Sequence, residues 1–141
     1  MESTNRRLTW HGMCLFLLGL LTGFVEQHFA NMRMGLAAHL EGVMNGIFLV
    51  ALGAAWNGVQ LSSPIKALAY WTLLCGTYGN WFVTSLAAAF GTAALSPITA
   101  AGHSGQPWQE NLVTAGFLTV GITMVASSVL VLWGLRARAF P

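Results

Sequence analysis

The chain of 141 residues is 55% hydrophobic and 7% charged, where an average soluble domain carries about 25% charged residues. Its six basic and four acidic residues lie mostly at the ends of apolar runs, so the net charge of +2 reads as membrane topology and not as attraction to nucleic acid. No room is left for a separate soluble domain, and residues 1–141 read as a single transmembrane domain that works in or at the bilayer. Four apolar runs, over residues 8–29, 36–59, 65–95 and 112–135, are each long enough to cross a hydrocarbon core of about 30 Å.

Arg6 and Arg7 ahead of the first run allow a signal-peptide reading. The run has the length of a full span and no convincing small-residue cleavage pattern closes it, so it reads as a retained first helix. His11, in Trp10-His11-Gly12, lies near its start, as an interfacial residue or as a ligand. Cys14 here and Cys75 in the third run form no Cys-x-x-Cys pair, which leaves them as packing residues.

The second run carries the most informative polar residues. At about 100° per residue, Gly35, His39, Gly42, Gly46 and Gly53 fall in one stripe. Such a stripe has two readings: close approach of a neighbouring helix, or a groove that accepts a flat macrocycle coordinated by the imidazole. Glu41, Asn45, Leu52 and Trp56 form a second stripe beside it, with Glu41 and Asn45 stacked one turn apart. Asn45 suits an interhelical hydrogen bond as well as a site. A carboxylate within a span costs about 2.5–3.5 kcal/mol on insertion scales, so Glu41 requires a partner or a use. Arg33 is the one basic residue expected on its side of the membrane.

The third run is overlong, and Gly76, Gly79 and Gly91 permit a tilt, a kink or an end outside the bilayer. Tyr70, Thr77, Trp81 and Thr84 share a face with Asn80 at its edge, whereas Tyr78 projects about 160° away from Asn80. Tyr78 and Asn80 therefore serve one pocket only if the helix breaks near Gly79 or if neighbouring subunits contribute different faces. A polar loop over residues 96–111, with Pro97, Gly102, Gly105 and Pro107, leads to the fourth run.

Short connectors make a four-helix transmembrane bundle the economical architecture. Arg6, Arg7, Lys66, Arg136 and Arg138 gather on one side against Arg33 on the other, which sends both termini to the cytoplasm. His11 and His39 then lie near opposite membrane faces, too far apart to share one metal within a protomer. His39 with His28 or His103 remains open as a pair, although solvated histidines are the default at those water-exposed ends.

At these residues the sequence resembles the bacterial hydroxylaminobenzene mutases. The resemblance runs through Trp10-His11-Gly12 and residues 18–24, Met34 to Gly46 with His39, Glu41 and Asn45, Gly76 to Trp81 with Tyr78 and Asn80, and Ala101 to Glu110 with His103 and Trp108. The His39-x₅-Asn45-Gly46 spacing is similar also to the more distant styrene oxide isomerases, membrane enzymes understood to hold haem b at the subunit interfaces of a trimer. Gly76 and Thr84 stand where those isomerases carry an aspartate and a tyrosine in the substrate pocket.

The resemblance implies an isomerase of the bacterial inner membrane, a homo-oligomer and by analogy a trimer, that rearranges N-aryl hydroxylamines to 2-aminophenols in nitroaromatic catabolism. It implies ferric haem b as cofactor, acting as a Lewis acid, with His39 as the iron ligand and Gly42 and Gly46 leaving room for the macrocycle. Asn45, Tyr78, Asn80 and Glu41 are the implied catalytic residues, and Trp81 stacks on the aryl ring. Two other classes compete on the residues alone. One is a small proton-coupled exporter built around Glu41, and the other a structural tetraspan subunit whose polar residues glue the bundle.

Overall fold

A computed structural model describes residues 2–136, with side chains from Thr4 onward. Arg138, one of the five basic residues in the topology count, lies outside them. The described residues form helices and turns only: α1 (Glu2–Val25), α2 (Met32–Ala55), α3 (Ser63–Phe90), the short α4 (Pro97–Ala100) and α5 (Pro107–Leu135), with 3₁₀ turns at Glu26–His28 and Trp56–Gly58. At 1.5 Å per residue the long helices measure about 36–44 Å. Three of them, α1 and α2 with the turns that follow and α5, are long and apolar enough to cross a membrane.

The helix ends follow from local chemistry. Asn31 caps α2 by accepting from the Met34 N–H at 3.2 Å. Its side-chain amide donates to the carbonyls of Thr99 (2.9 Å) and Ala100 (3.0 Å), and its own N–H donates to Ala88 O at 3.1 Å. One buried asparagine thus joins the α1–α2 turn to α3 and α4. Pro64 sits in the first turn of α3, where its missing N–H costs nothing.

Hydropathy carries the third run to residue 95, but α3 stops at Phe90. Gly91 takes the left-handed conformation (φ +68°) and donates to Ala87 O, ending the helix. Conversely α5 starts at Pro107, ahead of the apolar run, because Gln106 and Gln109 form a reciprocal cap around that proline. Between these ends the loop is held by Glu110. Its carboxylate accepts from the backbone N–H groups of Ala93 (3.0 Å), Ala94 (2.8 Å) and Gly105 (2.7 Å).

The spatial order is α1, α2, α3, α5. Helices α1 and α2 pack backbone to backbone through glycine: a methyl group on Gly19 would sit 2.5 Å from Val43 N, one on Gly46 2.5 Å from Phe16 N, and one on Gly42 would overlap the Gly19 Cα. At Gly42 and Gly46, expected to leave room for a macrocycle, the stripe is a helix-packing surface whose Cβ space is occupied by α1. On the other side α5 meets α3 where Gly76 receives Met124 and Gly116 receives Val83. Leu118, Ile122, Val125, Val129 and Leu132 of α5 stay exposed.

Two apolar clusters result. One, with Leu8, Leu15, Leu49, Trp56 and Leu73, fills the end near the N-terminus. The other, with Met34, Val83, Ala87 and Val113, fills the opposite end. A polar layer separates them.

Candidate active site

The polar layer is built by one turn of α2 and one turn of α3. Asn45 donates through Nδ2 to both the Glu41 backbone oxygen (2.8 Å) and Glu41 Oε2 (3.0 Å). From α3, Asn80 Nδ2 donates to the same Oε2. Two amides therefore meet the carboxylate, in place of the expected Arg33, whose side chain is exposed on the first turn of α2. Asn45 is buried and Glu41 half-buried.

Trp81 closes this layer toward α1. Its Nε1–H donates to Thr22 Oγ1 at 2.9 Å, and the Thr22 hydroxyl donates onward to Leu18 O at 2.8 Å. The indole lies against Gly42, where a methyl group would come within 2.9 Å of Cδ1. Thr22 did not stand out in the sequence. Its only signal there was a hydroxyl in an otherwise apolar stretch.

His39 occupies a different face of α2, because two residues turn the helix by about 200°. Its Nδ1 lies 2.8 Å from the carbonyl oxygen of Gly19. A carbonyl only accepts, so Nδ1 carries a proton, and in the neutral ring the lone pair is on Nε2. The ring lies across Gly23, where a methyl group would come within 2.8 Å of Nδ1. Leu36 and Leu40 on α2 and Leu20 and Phe24 on α1, its neighbours along the two helices, are exposed and apolar.

Tyr78 is not brought to Glu41. Helix α3 runs unbroken through Gly79, so Tyr78 and Asn80 point apart. The Tyr78 hydroxyl donates to His11 O (3.2 Å) and receives His11 Nδ1 at 3.1 Å, with the rings edge to face. Within one protomer, then, Glu41, Asn45, Asn80 and Trp81 form one group, His39 stands on another face, and Tyr78 pairs with His11. His28 is exposed, and His103 bonds locally to Ala100 O at 2.9 Å. Among the described residues no three of histidine, cysteine, aspartate and glutamate converge as a metal site.

A family model described as styrene oxide isomerase matches residues 4–136. Hydroxylaminobenzene mutase HabB of Ectopseudomonas oleovorans is 44% identical over 133 residues, covering 94% of this chain and 81% of the relative. Hydroxylaminobenzene mutase HabA of the same organism is 38% identical over 125 residues, covering 88% and 93%. No solved structure matches.

Proposed function

The chain belongs to the styrene oxide isomerase family and is an isomerase, and we propose that it rearranges N-aryl hydroxylamines of the hydroxylaminobenzene type to 2-aminophenols in nitroaromatic catabolism. The observation that carries the substrate class is the 44% identity to a hydroxylaminobenzene mutase along nearly the whole chain. Epoxide isomerisation of the styrene oxide type is the second reading, favoured by the family model. Purified protein offered both substrates, with products separated chromatographically, decides between them: 2-aminophenol from the first supports the mutase reading, and product only from the epoxide overturns it.

The reaction is an isomerisation without net redox change. The N–O bond breaks, a C–O bond forms at the ortho carbon, that carbon loses its proton and nitrogen gains one. Ferric haem b, when bound, would supply a Lewis acid for the leaving oxygen. The residues fit it at one point. His39 is half-buried beside the exposed Leu36 and Leu40, and Gly19 orients its ring through Nδ1, the usual arrangement for a histidine that ligates a metal through Nε2.

The chain's own residues then bind, orient and move protons. Both amides bond Glu41 Oε2, so Oε1 is left to accept from the substrate's N–OH or to carry the migrating proton. The Oδ1 atoms of Asn45 and Asn80 are further acceptors for the same group. Trp81 presents an aromatic face to the aryl ring and excludes water that would trap the electron-poor ring. Because His39 and Glu41 face different ways, one site containing both spans a boundary between copies. This favours a homo-oligomer, by analogy with the family a trimer, while Tyr78 stays bonded to His11 of its own chain.

The protein is read as a single four-span domain of the bacterial inner membrane with both termini in the cytoplasm. Helix α3 counts as the fourth span because its hydroxyls are satisfied within the helix: Thr77 bonds Leu73 O, Thr84 bonds Asn80 O and Ser85 bonds Trp81 O, each within 2.8 Å. The antiparallel order gathers Arg6, Arg7, Lys66 and Arg136 at one end and leaves Arg33 at the other.

A further inference from the structure

At the basic end of the bundle, away from the polar layer, a cavity of about 550 Å³ opens between the first turns of α1, the turn Trp56–Gly58 and the first turns of α3. Arg7 and Lys66 line it together with Trp56, Asn57, Tyr70 and Trp71, and no carboxylate is among its described lining residues. We propose that this pocket binds the phosphate headgroup of an anionic phospholipid. The proposal goes beyond the isomerase reading and rests only on the helices being membrane spans.

The cations are held ready for such a group. Lys66 Nζ donates to Val59 O at 2.7 Å and lies 5.7 Å from the centre of the Trp56 ring. An ammonium has three N–H donors, so two remain for a ligand. Arg7 reaches the same cavity from α1 with a guanidinium suited to two phosphate oxygens at once. Trp56, Tyr70 and Trp71 stack edge to face in sequence, at 6.4 and 5.2 Å between ring centres. They make a rigid aromatic wall of the kind found at headgroup level.

A second feature selects a lipid over a soluble phosphate. Leu68, Trp71 and Cys75 are exposed and recur at i, i+3 and i+7, so they form an apolar strip along α3 that begins at the pocket. A headgroup in the cavity would lay its acyl chains on that strip. The volume is in the range of about 300–1,000 Å³ typical of small-ligand sites, enough for a phosphate with its glycerol.

The test is native mass spectrometry of the detergent-purified protein titrated with dioleoyl phosphatidylglycerol, dioleoyl phosphatidylcholine or glycerol phosphate. Expected is preferential retention of phosphatidylglycerol. One basic residue near an anionic membrane contributes enough that Arg7→Gln should weaken retention about fivefold, with a further loss in Arg7→Gln/Lys66→Gln. Arg6→Gln, a neighbouring exposed arginine outside the pocket, should match the wild type. Arg7→Gln leaves the Lys66 bond to Val59 in place, so the single variant keeps the test valid if the double variant misfolds. Equal retention of phosphatidylcholine, full retention by Arg7→Gln, or equally tight glycerol phosphate would each overturn the lipid assignment.

Discussion

The imidazole of His39 is tied to the backbone carbonyl of Gly19 on the neighbouring helix, and this 2.8 Å bond decides which ring nitrogen is free. The bond exists only because glycines at positions 19 and 42 let α1 and α2 touch. The orientation of the imidazole is therefore a product of helix packing.

His39→Ala should yield folded protein without haem. The check is a pyridine haemochrome assay with the visible spectrum of the purified variant. Wild-type protein should show a stoichiometric Soret band and the variant none; a variant that keeps a normal spectrum would remove His39 as the iron ligand.

Glu41→Gln keeps the size of the side chain and removes its charge. If Glu41 accepts or transfers the substrate proton, turnover should fall by about 10²–10⁴, the range for general acid–base groups, with haem content unchanged. Steady-state formation of 2-aminophenol measures the first quantity and absorbance the second. Unchanged turnover would return Glu41 to the role of interhelical glue.

Thr22→Val should destabilise the protein by about 1–3 kcal/mol, because the Trp81 Nε1–H then has no acceptor in an apolar setting. Trp81→Phe removes the donor as well, so the double variant should lose less than the two single losses added together. Chemical unfolding in detergent provides the cycle. Strict additivity would mean that the bond contributes nothing.

Gly42→Ala places a methyl group against the Gly19 Cα and the Trp81 ring. Overpacking of this kind costs about 1–3 kcal/mol, and it should also shift His39 away from Gly19. A lower unfolding midpoint together with weakened haem retention is the expected pair of results. Normal stability would show that the α1–α2 seam has slack.

Much of this arrangement was legible in the residues. The 100° count separates Tyr78 from Asn80, and their bonds to His11 and Glu41 follow that separation. The glycine stripe marked the face of α2 that meets a neighbour. It did not say whether that neighbour is a helix or a cofactor, because both need the same absence of side chains. The four-residue spacing of Glu41 and Asn45 put those two side chains together, as their 3.0 Å bond shows, but the second partner of Glu41 was missed. Charge pairing suggested Arg33, whereas two amides from different helices supply the hydrogen bonds, and Asn80 comes near only through the crossing of α2 and α3. Helix ends departed from hydropathy where Gly91 and the Gln106–Gln109 cap intervene. Those are local backbone effects that an apolar average passes over.

The clasp made by Glu110 has a practical consequence. Both ends of the loop between α3 and α5 are fixed to that one side chain, and Asn31 holds the middle at Thr99 and Ala100. Ala101, Gly102, His103 and Ser104 are left exposed between the two anchors. An epitope or fluorophore inserted after Gly102 would hang from a tip whose length the helices do not feel. The fold thus provides its own handle for reporting which side of a membrane this end occupies.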